Sequence, residues 1–145
     1  MFTVETTRKL VKEGLLMRVL LADDQPEVRS AIRLILEQEP GVCVVAEASR
    51  VDDMLIRTQT AKPDVVMLDW ELSDPDRPAA AGGTVRQALA TLRSLLPKTL
   101  VVALSGRPEA RQAAVAAGVD GFVSKGDPPE RLLATLRALS AGGRA

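Results

Sequence analysis

Acidic, hydroxyl and amino side chains follow the apolar segments of this chain at four places. Asp23 and Asp24 come directly after one apolar run, Asp69 ends a second, Ser105 ends a third, and Lys125 follows a fourth. Carboxylates bind hard cations, whereas an ammonium and a hydroxyl can stabilise the oxygens of a phosphoryl group. If the fold brings these residues together, the chemistry that they indicate is metal-dependent phosphoryl transfer.

The three carboxylates indicate a divalent cation. Like charges at short range raise a pKa or require a counter-ion, and Mg²⁺ takes oxygen ligands while it keeps several waters. With the cation in place, Asp69 could act as a nucleophile that forms an acyl phosphate. Lys125 would then stabilise the phosphoryl oxygens, and the Ser105 hydroxyl would donate a hydrogen bond to one of them once the group is attached.

The chain contains no histidine and a single cysteine, and this composition excludes several kinds of site. No Ser-His-Asp or Cys-His arrangement, no Cys/His zinc site and no internal disulfide can form. The formal net charge is zero over 145 residues, which argues against direct nucleic-acid binding by this chain. The glycine-rich motifs of nucleotide-binding loops are not present in the sequence.

Five short apolar runs are expected to form strands, and segments with helical spacing follow them. The runs span residues 18–22, 42–46, 65–68, 100–104 and 121–123. Pro26 and Pro128 are expected to open the first and the last helix. Strands that alternate with helices indicate a parallel sheet with both faces covered. We therefore predict an α/β fold, a flavodoxin-like (βα)5 three-layer sandwich with five parallel strands in the order 2-1-3-4-5.

The predicted strand order places the polar residues at one edge of the sheet. In an open α/β sheet, ligands bind beyond the carboxyl ends of the strands, at the point where the strand order reverses. Here that point lies between the first strand, which Asp23 and Asp24 follow, and the third, which Asp69 ends. The topology therefore predicts one acidic cavity, with Ser105 and Lys125 at its edge.

Shifts in composition indicate the domain boundaries. Residues 1–16 are expected to be an N-terminal extension, 17–142 the folded domain, and 143–145 a C-terminal tail or the start of a linker. A loop rich in Pro, Ala and Gly is expected over 71–83. No run approaches the roughly 18 apolar residues of a membrane span, and the N-terminus lacks the apolar block of a signal peptide. The chain is therefore expected to be cytoplasmic and without membrane contact.

Four short motifs carry a resemblance to a known family. They are VLLADD (19–24), VVMLD (65–69), ALSG (103–106) and VSKG (123–126). Together they resemble the receiver domain of two-component response regulators, and the likeness extends over roughly residues 17–142. The segment GVDGFVSKGDPPERLL (118–133) resembles the LuxR/NarL-type branch of that family in particular.

The resemblance implies a phosphoacceptor site. Asp23, Asp24 and Asp69 are similar to the family's acidic Mg²⁺ pocket, Mn²⁺ could take the same place, and the backbone carbonyl of Glu71 would be a further ligand. Asp69 would accept the phosphoryl group from the phosphohistidine of a sensor histidine kinase or of a phosphotransfer protein. Lys125 would pair with the attached phosphate. Activity of the chain itself would be limited to self-phosphorylation and self-dephosphorylation.

The resemblance also implies a conformational switch. Ser105 would move toward the phosphate, Phe122 would change rotamer with it, and the face formed by the fourth helix, the fifth strand and the fifth helix would be reorganised. That face would control an output domain or a partner, and transcription regulation is the expected output. Homodimerisation through the last helix, with Arg131 and Arg137 in ion pairs between subunits, is a further hypothesis.

The sequence departs from the family pattern at three places. The loop after Asp69 is longer than the family's usual turn, and Glu71 adds a carboxylate near the path of attacking water, so we predict that Glu71 affects the phosphoryl lifetime. The LuxR/NarL-type branch normally continues into a helix-turn-helix domain, and this chain ends about where that linker would begin. A stand-alone receiver domain and part of a longer regulator both remain open.

Two other functions remain as alternatives. The first is a pseudo-receiver, a protein-interaction module that is not phosphorylated, which failure to bind Mg²⁺ would favour. The second is a phosphatase of the haloacid dehalogenase type, which also uses a strand-end aspartate and Mg²⁺. Its usual Asp-x-Asp-x-Thr/Val opening matches Asp69-Trp-Glu71-Leu-Ser73 poorly, and turnover of a generic phosphate ester would distinguish it.

Overall fold

A computed structural model of the chain describes residues 16–72 and 83–142. Most of the predicted N-terminal extension, positions 73–82 of the predicted loop and the predicted tail 143–145 lie outside the described residues. No helix in the described part of the chain is long and apolar enough to cross a membrane.

The described residues contain one sheet of five parallel strands. The strands are β1 (Met17–Ala22), β2 (Val42–Ala48), β3 (Val65–Asp69), β4 (Leu100–Ser105) and β5 (Gly121–Ser124). Their order across the sheet is β2-β1-β3-β4-β5, and each neighbouring pair is parallel. The predicted order 2-1-3-4-5 is therefore confirmed, and the strand order reverses between β1 and β3 as expected.

Helices follow the strands and cover the sheet on both sides. They are α1 (Pro26–Glu37), α2 (Val51–Ala61), α3 (Gly83–Leu95), α4 (Arg111–Ala117) and α5 (Pro129–Gly142), and a 3-10 turn, Pro108–Ala110, precedes α4. Acidic residues lie in the first turns of α1, α2 and α5, where the helix dipole favours negative charge. The α/β sandwich predicted from the sequence is confirmed.

Alternate residues along the strands divide the core into two layers. Leu20, Val66 and Leu68 face the layer that includes side chains of α2, α3 and α4. Val19 and Met67 face the opposite layer, which includes side chains of α1 and α5. All five residues of β3 are buried because both of its faces are covered. The central strand that ends in Asp69 is thereby held firmly at both faces.

Two helix boundaries differ from the prediction. The last helix begins at Pro129 and not at Pro128, because the residue before a proline is disfavoured in the helical conformation. Pro128 stays at the boundary, where its carbonyl accepts a hydrogen bond from the N–H of Arg131 at 3.0 Å. The third helix begins at Gly83, inside the segment predicted as a loop.

A guanidinium ties the end of α3 to the amino ends of β4 and β5. Arg93 donates to the carbonyls of Thr99 at 2.9 Å and Gly118 at 2.7 Å, and to Asp120 Oδ2 at 2.6 Å. The same Asp120 oxygen accepts the backbone N–H of Val101 at 2.8 Å. The Asp120 side chain is 5% exposed, so this ion pair is shielded from water and stabilises the turn that leads into β5.

Replacing Arg93 with methionine is expected to lower the free energy of unfolding by about 2 kcal/mol. The change removes three hydrogen bonds and leaves the buried carboxylate of Asp120 without its guanidinium partner. Urea unfolding of both proteins measures the difference. Arg57→Met is the matched control, because the Arg57–Asp53 pair is exposed and we expect a loss below about 0.5 kcal/mol. Equal losses in the two variants would contradict a special role for Arg93.

Candidate functional site

Three carboxylates meet at the carboxyl edge of the sheet, where the strand order reverses. Asp23 and Asp24 directly follow β1, and Asp69 is the last residue of the adjacent strand β3. One oxygen from each of the three residues can be chosen so that all lie within 4.8 Å of one another. Asp23 and Asp69 are buried, with 1% and 2% exposure, whereas Asp24 is exposed. The convergence of the three carboxylates that the sequence predicted is therefore present.

Asp23 is held from both sides. Its Oδ1 accepts the backbone N–H of Gln25 at 2.9 Å, which is the local turn that leads into α1. Its Oδ2 lies 2.8 Å from Lys125 Nζ, yet this buried oxygen has no well-directed hydrogen bond within the described residues. The two charged groups are therefore close, but Asp23 Oδ2 can still accept a hydrogen bond or bind a cation.

Lys125 reaches the acidic cluster from the turn after β5. Its Nζ lies 2.8 Å from Asp23 Oδ2 and 3.4 Å from Asp69 Oδ1, and it donates to Gln25 Oε1 at 3.2 Å. The backbone N–H of Lys125 donates to the Ser105 carbonyl at 2.8 Å, which fixes the turn against the end of β4. Burial lowers the pKa of Lys125, but the close contact of its ammonium with the Asp23 carboxylate and the negative charges of Asp69 and Asp23 outweigh that effect, so the net pKa is raised. The ammonium therefore stays charged.

The carboxyl group of Asp69 lies in an environment that disfavours its charge. Burial and the neighbouring charge of Asp23 raise the pKa of Asp69 from 3.8 to about 6. The Glu71 N–H, which donates to Asp69 Oδ1 at 3.0 Å, and the ammonium of Lys125 lower it in part. Burial is the larger cause of the raised pKa and the negative charge of Asp23 the second, and added positive charge beside Asp69 would oppose both.

Ser105 lies at the edge of the same site and is completely buried. Its hydroxyl donates toward the carboxylate of Glu71, with Ser105 Oγ 2.9 Å from both Oε1 and Oε2. The backbone N–H of Arg107 donates to Ser105 Oγ at 3.0 Å, and the Arg107 guanidinium lies 3.5 Å from Glu71 Oε2. The side chain of Glu71 therefore lies against the hydroxyl, which the sequence did not predict.

Two aromatic residues flank the site. Trp70 follows Asp69 directly, is 2% exposed, and its backbone N–H donates to the Leu104 carbonyl at 2.7 Å. The ring of Phe122 on β5 is buried, and the Arg111 guanidinium carbon lies 5.4 Å from its centroid. A rotamer change of Phe122, as predicted for the switch, would start from this buried position.

Sequence reasoning missed three residues that support the pocket. Gln25 contacts both Asp23 and Lys125, and Arg107 contacts both Ser105 and Glu71. Arg29 donates to the Asp23 carbonyl at 2.7 Å, which ties α1 to the end of β1. Each of the three lies a few residues after a recognisable motif, so its place in the sequence is the signal that could have identified it.

The residues present fit a hard divalent cation. Every nearby anionic donor is a carboxylate oxygen, which is the ligand type that Mg²⁺ prefers. The acceptor capacity left at the buried Asp23 Oδ2 and the raised pKa of Asp69 both indicate a need for additional positive charge. The donor set therefore agrees with the predicted Mg²⁺ site.

The strand order and the acidic cavity at its reversal define a flavodoxin-like α/β protein with a receiver-type fold. Residues 19–137 match the model of the response regulator receiver domain. The chain therefore belongs to the response regulator receiver family. Members of this family are phosphoacceptor proteins and not enzymes in the usual sense, and they partner with sensor histidine kinases.

Individual relatives place the chain near the LuxR/NarL type. It is 31% identical over 128 residues to the uncharacterized transcriptional regulatory protein YxjL of Bacillus subtilis, covering 87% of this chain and 55% of YxjL. It is 29% identical over 126 residues to the nitrate/nitrite response regulator NarL of Escherichia coli, covering 86% of this chain and 55% of NarL. The chain thus spans about half the length of these curated relatives.

A solved structure agrees with this placement. The LuxR-family two-component response regulator of Aurantimonas sp. SI85-9A1 superposes with a TM-score of 0.76 at 29% identity. The alignment covers 90% of this chain and 89% of that one. The predicted membership of the receiver family and the resemblance to its LuxR/NarL branch are confirmed.

Proposed function

We propose that this domain accepts a phosphoryl group on Asp69 from the phosphohistidine of a sensor histidine kinase or a phosphotransfer protein. The supporting observation is the position of the Asp69 carboxylate, which is buried among carboxylates and lies 3.4 Å from the Lys125 ammonium. A carboxylate in this setting can attack phosphorus, and fixed positive charge nearby stabilises the phosphoryl oxygens.

The transfer exchanges one bond to phosphorus for another. An oxygen of Asp69 forms the new O–P bond as the P–N bond to the donor imidazole breaks. The electron pair of the broken bond stays on the imidazole nitrogen, and a donor ring that carries a proton on its other nitrogen leaves as neutral imidazole, so this chain supplies no proton. Lys125 keeps its proton because its pKa is raised, so it acts as a fixed positive charge beside the new phosphate.

The acidic residues would hold a divalent cation during this reaction. Asp23, Asp24 and Asp69 offer carboxylate oxygens, and the Glu71 carbonyl stays the predicted further ligand. When bound, Mg²⁺, or Mn²⁺ in its place, supplies positive charge for the transferring oxygens. Arg29 and Gln25 keep the turn after β1 in position through their bonds to Asp23.

The response to phosphorylation is proposed to pass through Ser105 and Phe122 to the surface formed by α4, β5 and α5. Both residues are buried on the adjacent strands β4 and β5, so a movement of one affects the packing of the other. That surface would control an output domain or a partner in the cytoplasm, or it would form the contact of a homodimer. Transcription regulation is the proposed output because relatives such as YxjL are transcriptional regulatory proteins.

Trp70 provides the test, because it is the only tryptophan and directly follows Asp69. Mg²⁺ is added first and the phosphomimetic beryllofluoride second, while Trp70 emission is recorded. We expect saturable changes in the parent protein and no beryllofluoride response in Asp69→Asn. Asp53→Asn, at a half-exposed acidic position on α2, is the matched control and should respond like the parent.

Other outcomes identify other functions. A parent protein that binds neither Mg²⁺ nor beryllofluoride would contradict the phosphoacceptor proposal and favour the pseudo-receiver. Repeated turnover of a generic phosphate ester, lost in Asp69→Asn, would favour the phosphatase. Phosphotransfer from a purified kinase phosphohistidine to Asp69 then measures the physiological reaction itself.

A further inference from the structure

The Ser105 hydroxyl is already engaged in this unphosphorylated chain. It lies 2.9 Å from both carboxylate oxygens of Glu71, and it accepts the backbone N–H of Arg107 at 3.0 Å. A serine hydroxyl has one proton to donate. Since that proton points to Glu71, it is not available to any other acceptor while the contact lasts.

Glu71 is also placed where the attached phosphoryl group would compete with it. Its own backbone N–H bonds to Asp69 Oδ1 at 3.0 Å, so the two residues share one tight turn. A phosphoryl group on Asp69 would bring new anionic oxygens to the end of β3, beside the end of β4 where Ser105 lies. The carboxylate and the phosphoryl group would then be rivals for the same proton, and they would repel each other.

We propose that the Glu71 carboxylate is a positioning residue that holds the Ser105 hydroxyl in the unphosphorylated state and opposes the switch. This inference rests on the proposed phosphoacceptor function and adds a regulatory contact to it. Phosphorylation must first remove the hydroxyl from Glu71, so the contact lowers the population of the state that can engage a phosphoryl group. Arg107, 3.5 Å from Glu71 Oε2, is placed to retain the carboxylate once the hydroxyl has left it.

Binding of Mg²⁺ and beryllofluoride measures the competition. Glu71→Ala removes the rival acceptor, so the apparent affinity for beryllofluoride is expected to rise roughly five- to tenfold, allowing for the partly exposed carboxylate. In the Ser105→Ala background only charge repulsion remains, and solvent screens it because the Glu71 side chain is 37% exposed, so Glu71→Ala should change the affinity by less than about twofold. Glu109→Gln removes one exposed charge from the 3-10 turn that follows Ser105 and controls for general electrostatics.

A second measurement needs no phosphoryl mimic. Urea midpoints are compared for the parent, Glu71→Ala, Ser105→Ala and the double variant. If the side chains bond as described, the two single changes are not additive, because either one alone breaks the contact. Additive effects would show that the contact does not exist in solution and would overturn the inference.

The outcomes separate this inference from the proposed function. A beryllofluoride response that Glu71→Ala leaves unchanged, or changes equally in both backgrounds, overturns the competition and leaves the phosphoacceptor function intact. No response in any variant overturns both. A selective gain in the Ser105 background, together with non-additive urea midpoints, supports the assignment of Glu71.

Discussion

Lys125→Met is expected to destabilise the metal-free protein by about 3 kcal/mol near neutral pH, because it removes the cation from a buried acidic pocket. Asp23 Oδ2 and Asp69 Oδ1 both lie close to Lys125 Nζ, and both carboxylates are almost fully buried. Methionine preserves much of the side-chain length but supplies no charge. Urea unfolding measures the loss, which should be smaller in acid, where the carboxylates are protonated in both proteins.

Mg²⁺ should restore much of the stability that Lys125→Met removes, since it brings positive charge to the same carboxylates. It should not restore phosphorylation. The rate of Asp69 phosphorylation by a small acyl phosphate is expected to fall on the order of 100-fold. Lys98→Met, which removes an exposed lysine, is the control. A stable Lys125→Met protein with the parent's phosphorylation rate would contradict the role of the ammonium.

The residues of the acidic pocket could be predicted because the strand order determines which strand ends lie side by side. Each apolar run was long enough to be read as a buried strand, and parallel strands place their carboxyl ends at one edge. Asp23 and Asp69 therefore had to be neighbours once β1 and β3 were adjacent. No side-chain conformation was needed for that conclusion.

The contacts at the edge of the pocket could not be predicted in the same way. Glu71 lies on the turn after β3, and whether its carboxylate faces water or Ser105 depends on rotamers and on the position of Arg107. The sequence suggested only that Glu71 was near the path of attacking water. Likewise, Asp120 belonged to a recognisable motif, but its pairing with Arg93 joins residues 27 positions apart.

Asp69→Asn is expected to stabilise the metal-free protein by up to about 3 kcal/mol near neutral pH, even though it abolishes the proposed phosphorylation. Burial and the charge of Asp23 raise the pKa of Asp69 in the folded protein to about 6, above the ordinary value of 3.8 for an aspartate. The ionised carboxylate is thus less favourable in the folded chain than in the unfolded one. Asparagine has a similar shape and carries no charge.

The pH dependence follows from the same two values. Below about pH 3.8 Asp69 is protonated in both the folded and the unfolded chain, so asparagine brings no advantage there. As the pH rises to about 6, the unfolded chain ionises first and the parent loses stability through this group. Above that value both forms are ionised, and the advantage of Asp69→Asn should be complete and constant.

Mg²⁺ should reduce or reverse the difference between the two proteins, because it binds and stabilises the folded parent and binds Asp69→Asn more weakly. Urea unfolding at several pH values, with and without Mg²⁺, measures the whole pattern. Asp53→Asn, at a half-exposed acidic residue outside the pocket, should change the free energy of unfolding by less than about 0.5 kcal/mol throughout. If Asp69→Asn were less stable than the parent at neutral pH without Mg²⁺, the pocket would not have the excess negative charge on which the cation site depends.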